Sequence, residues 1–222
     1  MLDGIAWLGH DSFRLSGSKI IYIDPWHIAA GAPPADLILI THEHSDHFDK
    51  GDIATIRQPS TVIVAPAEVT RQVEGETRTV APGDTVTVAG VTVHAVAAYN
   101  TNKFREPGAV FHPKEDAKVG YVIELDGTTY YHSGDTDIFS DMALINEIHA
   151  PQVAMVPIGD RFTMSPKTAA LALKKFFKLK RAIPCHYGSF PIIEKTADKF
   201  VAEMKGAATK VIVPEKGKAV EV

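Results

Sequence analysis

The sequence predicts an α/β fold in which two mixed sheets pack face to face with helices on the outside. Three observations predict it. The first half of the chain is a series of short strand patterns separated by turn residues. The second half alternates helical and strand periodicities. No Pro/Gly/Ser linker, charge block or low-complexity segment divides the 222 residues, so they are read as one domain over 1–222.

The elements follow in order. Gly4 to Leu8, Ser12 to Leu15 and Ile20 to Ile23 are strand patterns, with Ser16-Gly17-Ser18 as a hairpin loop. Leu37-Ile38-Leu39-Ile40 is a short apolar run after a Pro/Ala/Asp loop and reads as a buried strand. Asp49 caps a helix running to Ile56, and Thr61 to Val64 is a β-branched strand. Pro66 sits in the first turn of a helix toward Val73. Between Thr77 and Ala95, alternating Val and Thr residues turn at Gly90 and form a hairpin with one buried face. Val119 to Leu125 and Thr128 to His132 make a second hairpin around Asp126-Gly127.

Asp137 to Ile148 then reads as helix and Gln152 to Val156 as buried strand. Ser165-Pro166 opens a helix whose Ala169, Ala170, Leu173, Phe176 and Phe177 share one face. Arg181 to Pro184 is a strand that delivers His186, Glu194 to Lys205 a helix, and Lys210 to Val213 a last strand.

Composition narrows the function classes. A net charge of -4 offers no basic footprint for nucleic acid. No apolar run reaches the ~18 residues that a membrane span needs, and the N-terminus lacks the basic and apolar regions of a secretory signal. Cys185 is the single cysteine, which excludes an internal disulfide and fits a reducing, cytoplasmic compartment.

The most informative segment is Thr41-His42-Glu43-His44-Ser45-Asp46-His47, which begins where the buried strand ends. A lone histidine is usually a surface or core residue. Three imidazoles and a carboxylate within six residues suit a transition metal site. Residues two apart in extended backbone point the same way, so His42, His44 and Asp46 can share a side.

This H-x-H-x-D-H run after an apolar strand resembles the metal-binding signature of the metallo-β-lactamase superfamily. Trp7-Leu8-Gly9-His10, Ile23-Asp24-Pro25, Ser133-Gly134-Asp135-Thr136 and Pro184-Cys185-His186-Tyr187 continue the likeness in order across nearly the whole chain. It looks closest to small hydrolases resembling ascorbate-6-phosphate lactonase. The resemblance implies an αββα sandwich with two divalent metal ions at one edge between the sheets. Zinc is the first choice of metal, with manganese or iron as alternatives.

By the same resemblance, His42 and His44 hold the first metal, Asp46, His47 and His186 hold the second, and Asp135 bridges both. A bridging carboxylate offsets the repulsion between dications about 3.5–4 Å apart. Asp46 and Asp135 are the implied catalytic residues. Many relatives have a further histidine after the hairpin strand, where this chain reads Val96-Ala97-Ala98-Tyr99-Asn100. His94 and His112 are the two substitutes. His112 is preferred, because a loop can reach a site whereas a strand fixes direction. His10 and His132 are candidates for the surrounding shell, and Asp11 and Asp24 for orienting ligating imidazoles. For Asp24, capping the turn before Pro25 is an equal alternative. Trp7 reads as core, and Trp26 as core or pocket wall.

The expected activity is hydrolysis of a small anionic lactone or phosphoester by a metal-bridging hydroxide, with no protein nucleophile. Lys103, Arg105, Lys114 and Arg161 are candidate anion clamps, although solvated loop charge explains each one singly. A nucleic-acid phosphodiesterase and a non-catalytic metal-binding module are the competing readings. Neither a nucleic-acid nor a membrane partner is expected, and homo-oligomerisation stays open.

Overall fold

Apolar residues at alternate positions build the two sheets of the computed structural model, which describes residues 4–221. The first comprises β1 (Gly4–Gly9), β2 (Ser12–Ser16), β3 (Ile20–Ile23), β4 (Leu37–Leu39), β5 (Val62–Ala65) and β6 (Thr77–Thr79), with α1 (Lys50–Ile56) and α2 (Ala67–Thr70) between the later strands. β7 (Thr85–Val88) and β8 (Val91–Ala97) begin the second sheet. A separate two-stranded hairpin follows, β9 (Phe104–Glu106) with β10 (Ala109–Val110). Next come β11 (Val119–Leu125), β12 (Thr128–His132), α3 (Met142–His149), β13 (Val153–Pro157), α4 (Pro166–Phe176), β14 (Arg181–Cys185), α5 (Asp198–Glu203), β15 (Lys210–Val211) and β16 (Ala219–Val220).

The strand orders are β16-β1-β2-β3-β4-β5-β6 and β15-β14-β13-β12-β11-β8-β7. In the first sheet β3 to β6 run parallel, joined by a loop before β4 and by α1 and α2 after it; in the second β12 to β15 run parallel, joined by α3, α4 and α5; the remaining pairings are antiparallel. This is the expected sandwich of two mixed sheets with outer helices.

Side-chain alternation decides the layers. Ile21, Ile23, Leu37, Leu39, Val62 and Val64 point between the sheets, where they meet Val93, Tyr121, Ile123, Met155 and Ile183. The intervening Tyr22, Ile38 and Ile63 point the other way and pack under α1 and α2 with Ile53, Ile56 and Val69. Strands covered on both faces read as unbroken apolar runs, which is why β4 is visible in the sequence. The outer face of the second sheet is covered by α3, α4 and α5 through Met142, Leu173 and Phe200.

Tyr121 crosses the interior. Its hydroxyl donates to the carbonyls of Ile40 (2.7 Å) and Val64 (3.2 Å) in the opposite sheet. We expect Tyr121→Phe to cost about 1–2 kcal/mol of stability in denaturant titrations. An unchanged midpoint would show that this bond adds nothing.

The main departures from the sequence reading have local causes. The helix expected from Asp137 starts only at Met142, because the Asp137 carboxylate accepts from the Thr101 and Asn102 N–H groups. The helix expected over Glu194 to Lys205 shortens to α5. The Glu194 N–H donates to the Gly159 carbonyl (3.1 Å), and the Glu194 carbonyl accepts from Gly188 (2.8 Å), so that backbone is committed to a loop. Pro66 is the N-cap of α2, whose four residues stop short of Val73. Phe177 lies just past α4 in extended backbone, yet is buried with that helix's apolar face. The β9–β10 hairpin and the edge strand β16 were not anticipated. Both are very short, and their pairing partners lie in tertiary structure.

Candidate metal centre

Ends of β1, β4, β12 and β14, together with the loop after β10, bring the donor side chains to one edge between the sheets. After β4 the backbone extends through His42 and then tightens, with the His47 and Phe48 N–H groups both donating to the His44 carbonyl (2.9 and 2.8 Å). That turn carries His47 round toward His42. Asp49 then caps α1 through the Gly51 and Asp52 N–H groups. β12 leads into Ser133-Gly134-Asp135, where Gly134 takes φ +60°, and an added Cβ would lie 2.8 Å from the Val119 carbonyl. His186 follows β14. The chain is also tight there, since a Cβ on Gly159 would run into the His186 carbonyl oxygen. His10, Asp24 and His186 all adopt positive φ (52°, 45° and 54°), an unusual state for residues with a side chain that clusters at functional sites.

Four donor sets result among the described residues, the ligand atoms of each lying within 4.8 Å of one another: His42, His44 and His112; His42, His47 and Asp135; His10, Asp46, His47 and His186; and Asp11, Asp24 and His132. In the first, His44 Nδ1 lies 3.0 Å from His42 Nε2 and 3.3 Å from His112 Nε2. Asp135 stands between the sets. One of its oxygens lies 3.4 Å from His47 Nε2 and 3.3 Å from His186 Nε2, and the other 3.3 Å from His112 Nε2.

The outer hydrogen bonds determine which nitrogens are bare. The Thr41 hydroxyl donates to Asp24 (2.6 Å), so it accepts from His42 Nδ1–H (2.9 Å), leaving His42 Nε2 with a lone pair. The Asn100 side-chain oxygen accepts from His112 Nδ1–H (2.8 Å) and from the His112 backbone N–H (2.9 Å), which bares His112 Nε2. Asp24 accepts from His47 Nδ1–H (2.7 Å) and from the Thr41 backbone N–H (2.7 Å). It therefore orients His47 instead of capping a turn before Pro25. Carboxylate and carbonyl partners of this kind fix the tautomer of ligating imidazoles. His132 has both nitrogens occupied. Nε2–H donates to the Asp11 carbonyl (2.9 Å) and Nδ1 accepts from Gly134 N–H (3.3 Å), so it buttresses the site from behind. His10 bonds Asp46 (3.0 Å) and Ser189 (3.0 Å) and stands against His186 with ring centroids 3.9 Å apart.

Electrostatics separates the two sides. Burial, with neighbouring imidazoles, holds His42 well below the ordinary histidine value and brings His112 down to about 4. Burial and Lys118 lower His44 too. This side is a neutral imidazole cluster. Burial also opposes charge on His47 and His186, but the Asp135 carboxylate and its acidic neighbours outweigh it and raise both. Burial opposes ionisation of Asp135, yet His186 and His47 overcome it and hold its carboxyl well below the usual range.

The donor chemistry fits divalent metal ions. His47 Nε2, His186 Nε2 and one Asp135 oxygen are buried without a hydrogen-bond partner, and orphaned buried polar atoms at a shared point call for a cation. In the metal-free protein His47 and His186 keep protons that a metal must displace. Metal uptake should therefore release protons, and affinity should climb as pH rises through and above the ordinary histidine range. Titration calorimetry in buffers of different ionisation enthalpy checks this, and pH-independent affinity would contradict it.

His94 lies away from this cluster, among Thr85, Glu124 and His149. Of the proposed anion clamps, Lys103 pairs with Asp160 (2.6 Å), Lys114 lies over Tyr99, and Arg161 lies over Phe111 and Phe162. Only Arg105 of those four lines the cavity above the donors. Trp26 is a wall of that cavity, and Trp7 stacks on Tyr187. Cys185 is buried, and burial first, with Asp11 next, pushes its thiol well up, which makes it an inert filler. His10, a candidate for the surrounding shell in the sequence, bonds Asp46 and lies within a donor set. One feature escaped the sequence reading. Lys118, 4% exposed, pairs with Glu43 (2.6 Å) and ties the His112 loop to the histidine run.

A family profile described as "Beta-lactamase superfamily domain" matches residues 4–186. The chain is 40% identical to the UPF0173 metal-dependent hydrolase of Chelativorans sp., over 98% of this chain and 99% of the relative. It is 41% identical to that of Agrobacterium fabrum, over 96% and 97%. Among solved structures it resembles a putative metal-dependent hydrolase from Parabacteroides distasonis, with a TM-score of 0.80 and 29% identity over 94% of this chain and 91% of that one. Igni18, a metallo hydrolase from Ignicoccus hospitalis, gives a TM-score of 0.79 and 26% identity over 97% and 96%.

Proposed function

The chain belongs to the metallo-β-lactamase superfamily, among the UPF0173 metal-dependent hydrolases, and from that membership we propose that it cleaves a small anionic lactone or phosphoester at a site for two divalent metal ions. One observation carries this reading: Asp135 lies within 3.4 Å of imidazoles from both sides of the donor cluster, His112 on one and His47 and His186 on the other.

In this proposal His42, His44 and His112 hold one ion, Asp46, His47 and His186 the other, and Asp135 serves both. When bound, the ions supply an acidified water and positive charge that polarises the scissile oxygen. Asp24, Thr41 and Asn100 orient the imidazoles, and His10 steadies Asp46. Zinc is the first candidate because imidazole and carboxylate suit it, with manganese and iron next. The Trp-Leu-Gly-His, Ser-Gly-Asp-Thr and Pro-Cys-His-Tyr segments support an ascorbate-6-phosphate lactonase-like branch. We take residues 1–222 as one domain, since both sheets contribute to one core. A net charge of -4 argues against nucleic-acid substrates, and no helix of the described residues is long and apolar enough to cross a membrane. The lone, buried Cys185 supports a cytoplasmic setting.

Elemental analysis after dialysis against zinc or manganese tests the centre. About two ions per chain are expected in metal excess, with hydrolysis lost on chelation and restored by metal. A ceiling of one ion would defeat the dinuclear reading.

A further inference from the structure

The cavity above the donors has a volume of about 540 Å³, within the ordinary range for small-molecule sites. Beyond the donor atoms its walls are mainly aromatic. Trp26 and Phe190 form one pair, with ring centroids 5.9 Å apart. Phe111 and Phe162 form the other, edge to face at 4.9 Å. The four rings come from four separate loops, following β3, β14, β10 and β13. Ile192, 63% exposed, extends the apolar rim. Ser45 supplies the lining's one hydroxyl, and Arg105 its one Lys or Arg side chain. The Arg105 guanidinium rests 5.6 Å over the Phe111 ring and has no ion-pair partner among the described residues.

This lining discriminates between substrate chemistries. A polyhydroxylated lactone would leave most of its hydroxyls without partners against four rings, and each unpaired polar group costs binding. A terminal phosphate dianion is usually met by several donors, whereas one guanidinium matches one carboxylate. Aromatic walls bind apolar surface and gain from each methylene they cover.

We propose that the substrate is an amphipathic carboxylic ester or lactone. Its carbonyl lies over the metal donors, its apolar body lies between the Trp26/Phe190 and Phe111/Phe162 pairs, and a single carboxylate faces Arg105. This rests on the hydrolytic reading above and narrows its substrate. The reaction balances with water alone. The water oxygen bonds to the acyl carbon, the acyl C–O bond breaks, one proton goes to the departing alkoxide and the other to solvent. The products are an alcohol and a carboxylate, joined in one molecule when the substrate is a lactone.

The test uses metal-loaded protein and γ-lactones carrying methyl, butyl, hexyl or hydroxymethyl groups, each as a neutral and a carboxylate-bearing version. kcat/KM should rise about fourfold per added methylene while the cavity fills. Phe162→Ala should flatten that rise. Arg105→Gln should lower only the carboxylate-bearing series, by about tenfold or more. Equal rates along the alkyl series, or preference for hydroxymethyl lactones or sugar phosphates, would overturn the proposal. If no lactone turns over, the hydrolytic reading fails with these substrates. Calorimetric binding of the corresponding carboxylic acids then decides the pocket separately. Affinity that climbs with chain length supports apolar recognition, and flat affinity overturns it.

Discussion

Asp135→Ala is expected to reduce hydrolysis by well over a hundredfold and to lower bound metal from two ions toward one. Loss of a residue that only orients a ligand costs about 10–100-fold, so loss of the carboxylate proposed to serve both ions should exceed it. The electrostatic argument is specific. Asp135 is 4% exposed, and its oxygens face His47, His112 and His186 at 3.3–3.4 Å. Without it, Asp46 would be the one carboxylate left among the proposed ligands, with no negative charge between the two dications to offset their repulsion. The metal-free protein should respond differently, because His47 and His186 lose the carboxylate that favours their protonated forms and shed protons at lower pH. Ring-proton NMR of the metal-free variant reads that shift independently of activity. Full activity with two bound ions would remove Asp135 from the centre.

The second large effect separates two histidines. His112→Ala should weaken metal binding and kcat/KM by at least about a hundredfold, whereas His94→Ala should leave both nearly unchanged. His112 is buried, Asn100 fixes its tautomer, and its bare Nε2 lies 3.3 Å from His44 Nδ1 and from Asp135. His94 instead bonds Thr85 (2.8 Å) and Glu124 (3.2 Å) on the outer part of β8, so its removal touches only local packing. An intermediate variant sharpens the comparison. Asn100→Ala should preserve the His112 ring but release its Nδ1, giving a loss of about 10–100-fold. A dead His94→Ala beside an unimpaired His112→Ala would reverse the assignment.

Much of this architecture is local, and so legible in the sequence. The run Leu37 to Ile40, which contains β4, reads as unbroken apolar sequence because both its faces are buried. The β11–β12 hairpin reads from Asp126-Gly127, since that pair supplies the turn's left-handed backbone. α4 reads from Ser165-Pro166, whose capping box the structure contains. The H-x-H-x-D-H run is dense enough in donors to announce a metal site by itself.

Tertiary structure decided what spacing could not. Asp137 sits where a helix signal begins, yet its carboxylate is drawn to the Thr101 and Asn102 backbone in another loop. β16 exists because β1, from the opposite end of the chain, offers it an edge: Ile5 pairs with Val220 and Ala6 with Ala219. Trp26, Phe111, Phe162 and Phe190 carry no periodicity and lie in four loops, so their convergence on one cavity is invisible until the strands that carry those loops are aligned. The division has a physical basis. Backbone periodicity, caps and turns are set by neighbours a few residues away, whereas a cavity's walls and a ligand's tautomer are set by groups that meet only after long-range strand pairing has been completed.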